Sequence, residues 1–253
     1  MRLDRLNCME QYILEKGTAS LEDLAAQFSV SLNTVRRDIA ELLERGQIKK
    51  VYGGVAALNV KTLLPLPVRA ERQHLEKEAI GRFAASLVKD NSTIFLDSGS
   101  TTVHILPYLA ERSNITVITH SLSALYEAAK YPELSVIALG GQYSASTSSY
   151  VGATTLEMIS NMSIDTVFIA ATGVSIENGL SNNTYFEAEI KRSVTRRSKN
   201  TILLADHTKF DKDALISFCD LSKLSAIVTG GPLSAAYERF AQENHIALHY
   251  TGM

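Results

Sequence analysis

Residues 31–48 read SLNTVRRDIAELLERGQI, and this stretch decides how the fold of the chain begins. Ser31 is a favourable helix N-cap because its hydroxyl can accept a hydrogen bond from a free amide of the first turn. Gly46 suits the left-handed position that ends many helices. Four apolar residues between them recur at helical spacing and form one stripe: Val35, Ile39, Leu42 and Leu43. The stretch therefore predicts an amphipathic helix.

The polar face of this helix is divided along its length. Its N-terminal half carries Asn33, Arg36 and Arg37, whereas its end carries two glutamates. A helix that enters the DNA major groove leads with its N-terminal residues, and Arg and Asn pair bidentately with guanine and adenine edges. The pattern favours a recognition helix. An amphipathic helix with a merely solvated charged face is the alternative.

Two shorter helices are predicted before it. Apolar residues at helical spacing support a first helix that ends near Lys16 and Gly17: Leu3, Leu6, Tyr12, Ile13 and Leu14. Ser20 and Asp23 have the spacing of a capping box, which predicts the start of a second helix. Residues 29–30 then leave only a short turn. Three short helices with this compact turn predict a helix-turn-helix.

The sequence QIKKVYGGVAAL follows and predicts a β-hairpin, the wing of a winged helix. Gly53 and Gly54 lie between strand-forming residues, and both can take a positive φ without steric cost. Lys49 and Lys50 can neutralise phosphates, and Tyr52 can contact the DNA backbone or sugar. An exposed hairpin with incidental lysines is the alternative.

Length and charge limit the function classes. A chain of 253 residues is long enough for one large domain and a small one. Its net charge of -2 argues against a protein coated in basic residues for non-specific nucleic-acid binding. Residues 1–60 hold eight basic and eight acidic residues, so any DNA contact must be local.

We expect no metal site, no cofactor and no membrane-spanning segment. Cys8 and Cys219 lie far apart without a CxxC spacing, which argues against a disulfide framework or a zinc ribbon. His245 and His249 form only a weak pair, because their segment resembles a strand. The sequence lacks a signal-peptide core and a membrane-spanning run, so we expect a soluble, cytoplasmic protein.

The remaining chain predicts an α/β domain. Residues 58–68 contain two prolines and no periodicity, and we interpret them as a linker between domains 1–57 and 69–253. A helix is expected over residues 69–89. Apolar runs then alternate with helical segments: TIFLD, ITVITH, SVIAL, TVFIA, TILLAD and SAIVTG. This alternation predicts a mostly parallel sheet covered by helices, with ligands at the carboxyl ends of the strands.

The first of these strands ends in DSGSTT, residues 97–102. Gly99 permits a tight turn, and Ser100, Thr101 and Thr102 place hydroxyls and amides at a helix N-terminus, where an anion is favoured. The chemistry points to phosphate. A strand-to-helix turn with ordinary capping residues is the alternative.

Other strand ends add candidate residues: Thr119, Gly140, Gly141, Asp206 and Lys209. Lys209 can pair with an anion, and Asp206 can accept sugar hydroxyls or orient the lysine. A surface lysine and an ordinary loop glycine pair are the alternatives.

These motifs together resemble the DeoR-type bacterial repressors of sugar metabolism. The DNA-binding part of that family combines a recognition helix like VSLNTVRRDI with a glycine-paired wing like KKVYGGV. Its effector domain is similar over nearly the whole length in DSGSTT, Gly-Gly, EAEIKR and ADHTKF. The resemblance implies a homo-oligomeric repressor of a carbohydrate operon, which a phosphorylated sugar releases from double-stranded operator DNA.

The local patterns and the resemblance together give the candidate site residues. DNA contacts are expected at Ser31, Asn33, Thr34, Arg36, Arg37, Lys49, Lys50, Tyr52 and Gly53. Effector contacts are expected at Asp97, Gly99, Ser100, Thr101, Thr102, Thr119, Gly140, Gly141, Glu189, Asp206 and Lys209.

The family's effector domain is similar to ribose-5-phosphate isomerase. The alternative function is therefore a sugar-phosphate isomerase with an appended DNA-binding domain. Glu189 lies where the isomerase has its catalytic glutamate, but residues 171–175, ATGVS, lack the carboxylates of the isomerase's acidic loop. A lone carboxylate suits a sugar hydroxyl better than proton transfer, and it can also be a surface glutamate beside Lys191 and Arg192. We therefore expect no catalytic residue and no enzyme. An activator remains as a further alternative.

Overall fold

The computed structural model describes residues 2–16, 18–46, 48–51, 53–57 and 66–252. Contacts divide the chain into two units, residues 1–62 and 63–253. The predicted linker, residues 58–68, lies mostly outside the described residues. Its last three residues belong to a helix instead.

The first unit contains three helices and a small sheet within its described residues. The helices are α1 (Arg2–Lys16), α2 (Leu21–Gln27) and α3 (Leu32–Glu44). The strands are β1 (Thr18–Ser20), β2 (Ile48–Val51) and β3 (Gly54–Ala57). They pair antiparallel in the order β1-β3-β2, so the predicted wing hairpin gains a third strand from the segment before α2.

Local sequence signals explain these helices. The capping box of α2 is confirmed, with the Ser20 hydroxyl accepting from the amide of Asp23 and the Asp23 carboxylate accepting from the amide of Ser20. Ser29 takes a left-handed φ of 51° in the turn before α3. The apolar stripes meet in one core, which includes Leu6, Ile13, Leu24, Val35, Ile39 and Leu42.

The two wing glycines differ in their roles. Gly53 has a φ of +79°, as the hairpin prediction requires. Gly54 lies in β3, paired with Val51 and Ser20, and a Cβ there would come within 2.2 Å of the Ala19 carbonyl oxygen. Gly54 is therefore needed for close strand packing rather than for a positive φ.

The second unit alternates helices and strands. Its helices are α4 (Leu66–Glu71), α5 (His74–Ser86), α6 (Leu106–Leu109), α7 (Leu122–Ala128), α8 (Ala153–Ser160), α9 (Tyr185–Arg197) and α10 (Ala235–Glu243). Its strands are β4 (Thr93–Leu96), β5 (Thr116–Thr119), β6 (Ser135–Ala138), β7 (Gln142–Ser144), β8 (Ser149–Val151), β9 (Thr166–Ile169), β10 (Gly173–Ser175), β11 (Gly179–Asn182), β12 (Thr201–Leu204), β13 (Ile216–Cys219), β14 (Ala226–Thr229) and β15 (Ala247–Tyr250). Short 3₁₀ helices cover Thr102–Ile105, His207–Lys209 and Leu221–Lys223.

A seven-stranded sheet organises this unit, in the order β15-β14-β12-β9-β4-β5-β6. Every neighbouring pair is parallel, which confirms the predicted α/β fold and its six predicted strands. The apolar faces of the sheet pack into two cores, one containing Phe95 and Leu203 and the other Ile94 and Leu204. Two small sheets, β7-β8 and β10-β11-β13, were not predicted.

The helix expected over residues 69–89 is divided. Gln73 takes a left-handed φ of 49° as the N-cap of α5, and this conformation interrupts the hydrogen bonding between α4 and α5. The apolar face of α5 is confirmed, since Ile80 and Ala84 are fully buried. Among the described residues, no helix has the length and apolar character needed to span a membrane.

Candidate functional site

The N-terminal half of α3 presents an exposed polar surface. The Ser31 hydroxyl accepts a hydrogen bond from the amide of Thr34 at 3.2 Å, so the predicted N-cap is confirmed. Arg36 donates to the side-chain oxygen of Asn33 at 3.4 Å, and Arg37 is exposed beside them. These side chains are free to contact a ligand because the core of the unit holds the opposite face of α3.

Asp38, the acidic residue after the two arginines, has a structural role. Its side chain is fully buried and accepts from Nε of Arg5 at 2.8 Å and from a terminal nitrogen of Arg5 at 3.3 Å. Asp38 lies three residues after Val35 and four before Leu42, on the buried stripe. The stripe therefore holds a carboxylate that joins α3 to α1, which the sequence interpretation missed.

The wing carries exposed cations. Lys49 and Lys50 are both exposed on β2. Arg45, at the end of α3, is held by α1 instead, since it donates to Glu10 at 2.9 Å and to Asn7 at 3.0 Å. Tyr52, the other predicted wing contact, lies outside the described residues.

The second unit has two adjoining cavities at the carboxyl ends of β4, β9 and β12. Their volumes are about 30 and 20 Å³. Both are lined by Arg69, Gly99, Ala170, Ala171 and Thr172. The first is also lined by Ser100, Thr101, Leu204, Ala205 and Lys209, and the second by Ser98, Asn182, Glu187 and Lys191.

The turn after β4 forms one wall. A Cβ on Gly99 would come within 2.3 Å of the Cβ of Ala170, so only glycine fits there. Ser100 and Thr101 line the first cavity, whereas the Thr102 hydroxyl donates to the Asp97 carbonyl oxygen at 2.7 Å. The helix expected after this turn is only a four-residue 3₁₀ helix followed by the four residues of α6.

Asp97 lies below this wall as the centre of a buried network. One carboxylate oxygen accepts from the Lys191 ammonium at 2.6 Å and from the amide of Ala170 at 2.9 Å. The other lies 3.5 Å from Nε2 of His120. Burial alone would raise the pKa of Asp97, but the charge of Lys191 and the hydrogen bond with His120 outweigh it and hold the pKa well below its usual range.

Glu187 faces the second cavity, whereas the predicted Glu189 does not. The Glu187 carboxylate accepts from Ser98 at 3.1 Å, Asn182 at 2.9 Å and Thr184 at 2.7 Å. Glu189 pairs with Arg192 on the outer side of α9. Two residues along a helix correspond to roughly 200° of rotation, which places these carboxylates on opposite sides. Glu187 is therefore the glutamate that lines the cavity, whereas Glu189 lies outside its lining.

Cations surround the first cavity. Burial lowers the pKa of Lys209, and the nearby charge of Arg69 lowers it further against the opposing effect of Asp206. Burial also lowers the pKa of Arg69, although the charges of Glu187 and Asp97 oppose this. Two desolvated cations on one cavity favour an anionic ligand.

The other predicted effector residues lie outside the cavity lining. The Thr119 hydroxyl donates to the Leu96 carbonyl oxygen at 2.7 Å, and Asp206 accepts from the amide of Thr208 at 3.1 Å. Gly140 and Gly141 follow β6, which lies two strands beyond β4 at the sheet edge. Their distance from β9 and β12 explains why they do not reach the cavity.

Across the described ranges, no three His, Cys, Asp or Glu side chains are grouped so as to hold a metal ion. The ring of His249 packs against that of Phe83, with centroids 4.8 Å apart and the two planes inclined by 39°.

Solved structures with partly similar folds include ribose 5-phosphate isomerase A from Methanocaldococcus jannaschii. It is 20% identical, with a TM-score of 0.39, and the match covers 53% of this chain and 53% of that chain. The delta subunit of eIF2B from Chaetomium thermophilum is 15% identical with a TM-score of 0.41, over 73% of this chain and 58% of that one.

Curated relatives match nearly the whole chain. HTH-type transcriptional regulator IolR of Bacillus subtilis is 39% identical over 98% of this chain and 99% of the relative. HTH-type transcriptional regulator GolR of Listeria innocua is 32% identical over 94% of each. Glycerol-3-phosphate regulon repressor of Escherichia coli is 29% identical over 96% of this chain and 97% of the relative.

Two family models cover both units. A DeoR-like helix-turn-helix domain matches residues 5–61, and a DeoR C-terminal sensor domain matches residues 72–231. The sensor model alone covers more than half of the chain. The resemblance in the sequence motifs is thereby confirmed, and the chain belongs to the DeoR family of DNA-binding transcriptional regulators.

Proposed function

We propose that this protein is a repressor of a carbohydrate-utilisation operon and that a phosphorylated sugar releases it from operator DNA. The observation that carries the proposal is the cavity at the ends of β4, β9 and β12. It combines the hydroxyl residues Ser100 and Thr101 with the half-buried cations Arg69 and Lys209. Hydroxyls and desolvated cations are the groups that bind a phosphate.

The second cavity suits the sugar part of such a ligand. Glu187 and Asn182 offer acceptor and donor atoms that are fixed by their own hydrogen bonds. Carboxylate and amide groups held in this way bind hydroxyls with defined direction. One relative's name supports the ligand class, since it is a repressor of the glycerol-3-phosphate regulon.

The DNA-binding role is assigned to the exposed surface of α3 and the wing. Asn33, Arg36 and Arg37 read base edges or fix the register in the major groove, while Lys49 and Lys50 contact phosphates. A homo-oligomer places two such helices in successive major grooves. A coupling free energy of about 1–3 kcal/mol between effector and operator weakens DNA binding by roughly 5- to 150-fold.

A thermal-shift screen against phosphorylated sugars and polyols tests the effector class. A ligand at 100 times its dissociation constant adds about 2.7 kcal/mol to the free energy of unfolding. We expect phosphorylated compounds to raise the melting temperature and to release operator DNA in a binding assay. A panel in which only free sugars raise the melting temperature would contradict the proposal.

A matched pair of lysine variants localises the effect. Lys209 follows the carboxyl end of β12 and lines the cavity. Lys199 precedes the amino end of the same strand and is exposed. Lys209→Gln should abolish the thermal shift, and Lys199→Gln should leave it unchanged. Equal shifts in both variants would place the anion elsewhere.

A further inference from the structure

The cavities are too small for the proposed effector. Volumes of about 30 and 20 Å³ give each cavity room for about one water molecule. A phosphorylated sugar has many more heavy atoms than one water. Neither cavity encloses such a ligand as it stands, and a shift of one wall would make room for it.

Most of the walls are fixed by buried contacts. Gly99 packs directly against Ala170, and Lys191 donates to both Asp97 and the Ala170 carbonyl oxygen at 2.6 Å. Glu187 accepts three hydrogen bonds from side chains around it. Moving these groups would break the buried network and disturb the carboxyl ends of the central strands.

Helix α4 differs from these walls. It has six residues, of which only Leu66 is buried, and it contains Pro67, which lacks an amide hydrogen. Its Arg69 lines both cavities, and no other described residue of α4 does so. The position of α4 therefore depends on few buried side chains of its own.

One side chain holds the end of α4. The ammonium group of Lys77 donates to the carbonyl oxygens of Arg69 and Arg72, the latter at 2.7 Å. The same ammonium lies 3.9 Å from a carboxylate oxygen of Asp206, in the turn that carries Lys209. Lys77 is 1% exposed, so its ammonium group is buried. We call the hydrogen bonds from this group to the end of α4 the latch.

We propose that α4 is the mobile wall of the effector cavity. In this mechanism an anionic effector binds Arg69, α4 shifts outward, and the hydrogen bonds from Lys77 to the end of α4 break. The inference rests on the proposed function, because it requires an anion in this cavity.

Hydrogen–deuterium exchange of the full chain, with and without inorganic phosphate, tests the inference. We expect peptides covering residues 97–102 and 205–210 to exchange more slowly with phosphate, since they form the site. The peptide covering residues 66–72 should exchange several-fold faster, because its latch is released.

Two variants should move the same peptide in opposite ways. Lys77→Met removes the latch, so residues 66–72 should exchange fast even without phosphate. Arg69→Gln keeps the latch but loses the anion contact, so the peptide should stay slow when phosphate is added. Arg82→Gln, an exposed change on α5, is the control and should behave like the wild type.

The outcomes separate this inference from the proposed function. Protection at residues 97–102 with unchanged exchange at 66–72 would overturn the mobile wall and leave the effector site intact. No change in any peptide, with phosphate or with the phosphorylated sugars of the screen, would overturn both. If Lys77→Met does not fold, Arg69→Gln decides: a phosphate response equal to the wild type would refute the mechanism.

Discussion

The two units place their functional side chains in opposite ways. Asn33, Arg36 and Lys49 are exposed side chains on elements whose opposite faces pack into a small core. Asp97 and Lys191 are buried and hydrogen-bonded to each other. A surface that reads a large polyanion needs exposed groups at the right spacing, whereas a cavity for a small ligand needs a fixed polar network. Substitutions of these functional side chains should therefore affect binding alone in the first unit. In the second unit they should affect stability as well as binding.

Lys191→Met should have the largest effect. It leaves the buried carboxylate of Asp97 without its cation, and removing one partner of a buried ion pair costs about 3–5 kcal/mol. Urea unfolding of the full chain measures the loss. Lys199→Met, at an exposed position, is the control and should change the free energy of unfolding by less than about 0.5 kcal/mol.

The pH dependence of Asp97 sharpens this prediction. Because its pKa in the folded state is lowered, its stabilising contribution is present above the ordinary carboxyl pKa and is lost as pH falls through the lowered one. The stability difference between wild type and Asp97→Asn should thus stay constant from neutral pH to mild acid. A difference that already shrinks in mild acid would mean that Lys191 does not hold Asp97 ionised.

Arg36→Ala and Arg37→Ala should weaken operator binding without unfolding the first unit. A bidentate base contact contributes about 1–3 kcal/mol of discrimination, and both side chains are exposed. Fluorescence anisotropy at several salt concentrations measures affinity and its salt dependence. Arg45→Ala is the control, because Arg45 lies at the C-terminal end of α3 and is bound to Glu10 instead of being available to DNA. Unchanged affinity in the double arginine variant would refute the recognition surface.

Gly99→Ala should destabilise the second unit by about 1–3 kcal/mol, because the new methyl group overlaps Ala170. Thermal unfolding and the phosphate response should both decline. Gly140→Ala is the control, since nothing lies within 4 Å of a Cβ there. Equal stability of the two variants would show that the turn after β4 adapts.

Ser20→Ala should have the smallest effect, about 1 kcal/mol, through loss of the capping box of α2. Operator affinity should change little, because the exposed face of α3 is untouched. Unfolding of the full chain measures the stability change, with Ser86→Ala on α5 as an exposed control. A drop in affinity without a drop in stability would contradict this separation.

The first unit was largely predictable because its signals are local. Caps, apolar stripes and the glycine-containing hairpin depend on neighbours within a few residues, and the structure confirms them from Ser20 to Gly53. The exceptions involve partners distant in sequence. The pairing of β1 with β3, and of Arg5 with Asp38 across 33 positions, leaves no local trace in either segment.

The cavity was predictable only in part. Gly99, Ser100 and Lys209 follow strands, and the ends of parallel strands meet by topology. Arg69 was not predicted as a cavity residue, because the sequence does not signal the break between α4 and α5. The break lies at the left-handed Gln73, and neither a glycine nor a proline marks that position. Glu187 had a readable signal, since it shares the helical phase of the buried Ile190, Lys191 and Val194, whereas Glu189 does not.

The absence of a side chain at Gly54 has a consequence for how operators of different sequence can be recognised. Its contact with the backbone of Ala19 joins the wing to the segment directly before α2, so helix and wing form one body. In the proposed recognition mode, the spacing between the base contacts of α3 and the phosphate contacts of the wing is then set by the backbone. On this proposal, exchanging side chains on α3 alone should retarget specificity, whereas any larger residue at position 54 should change the spacing for every operator at once.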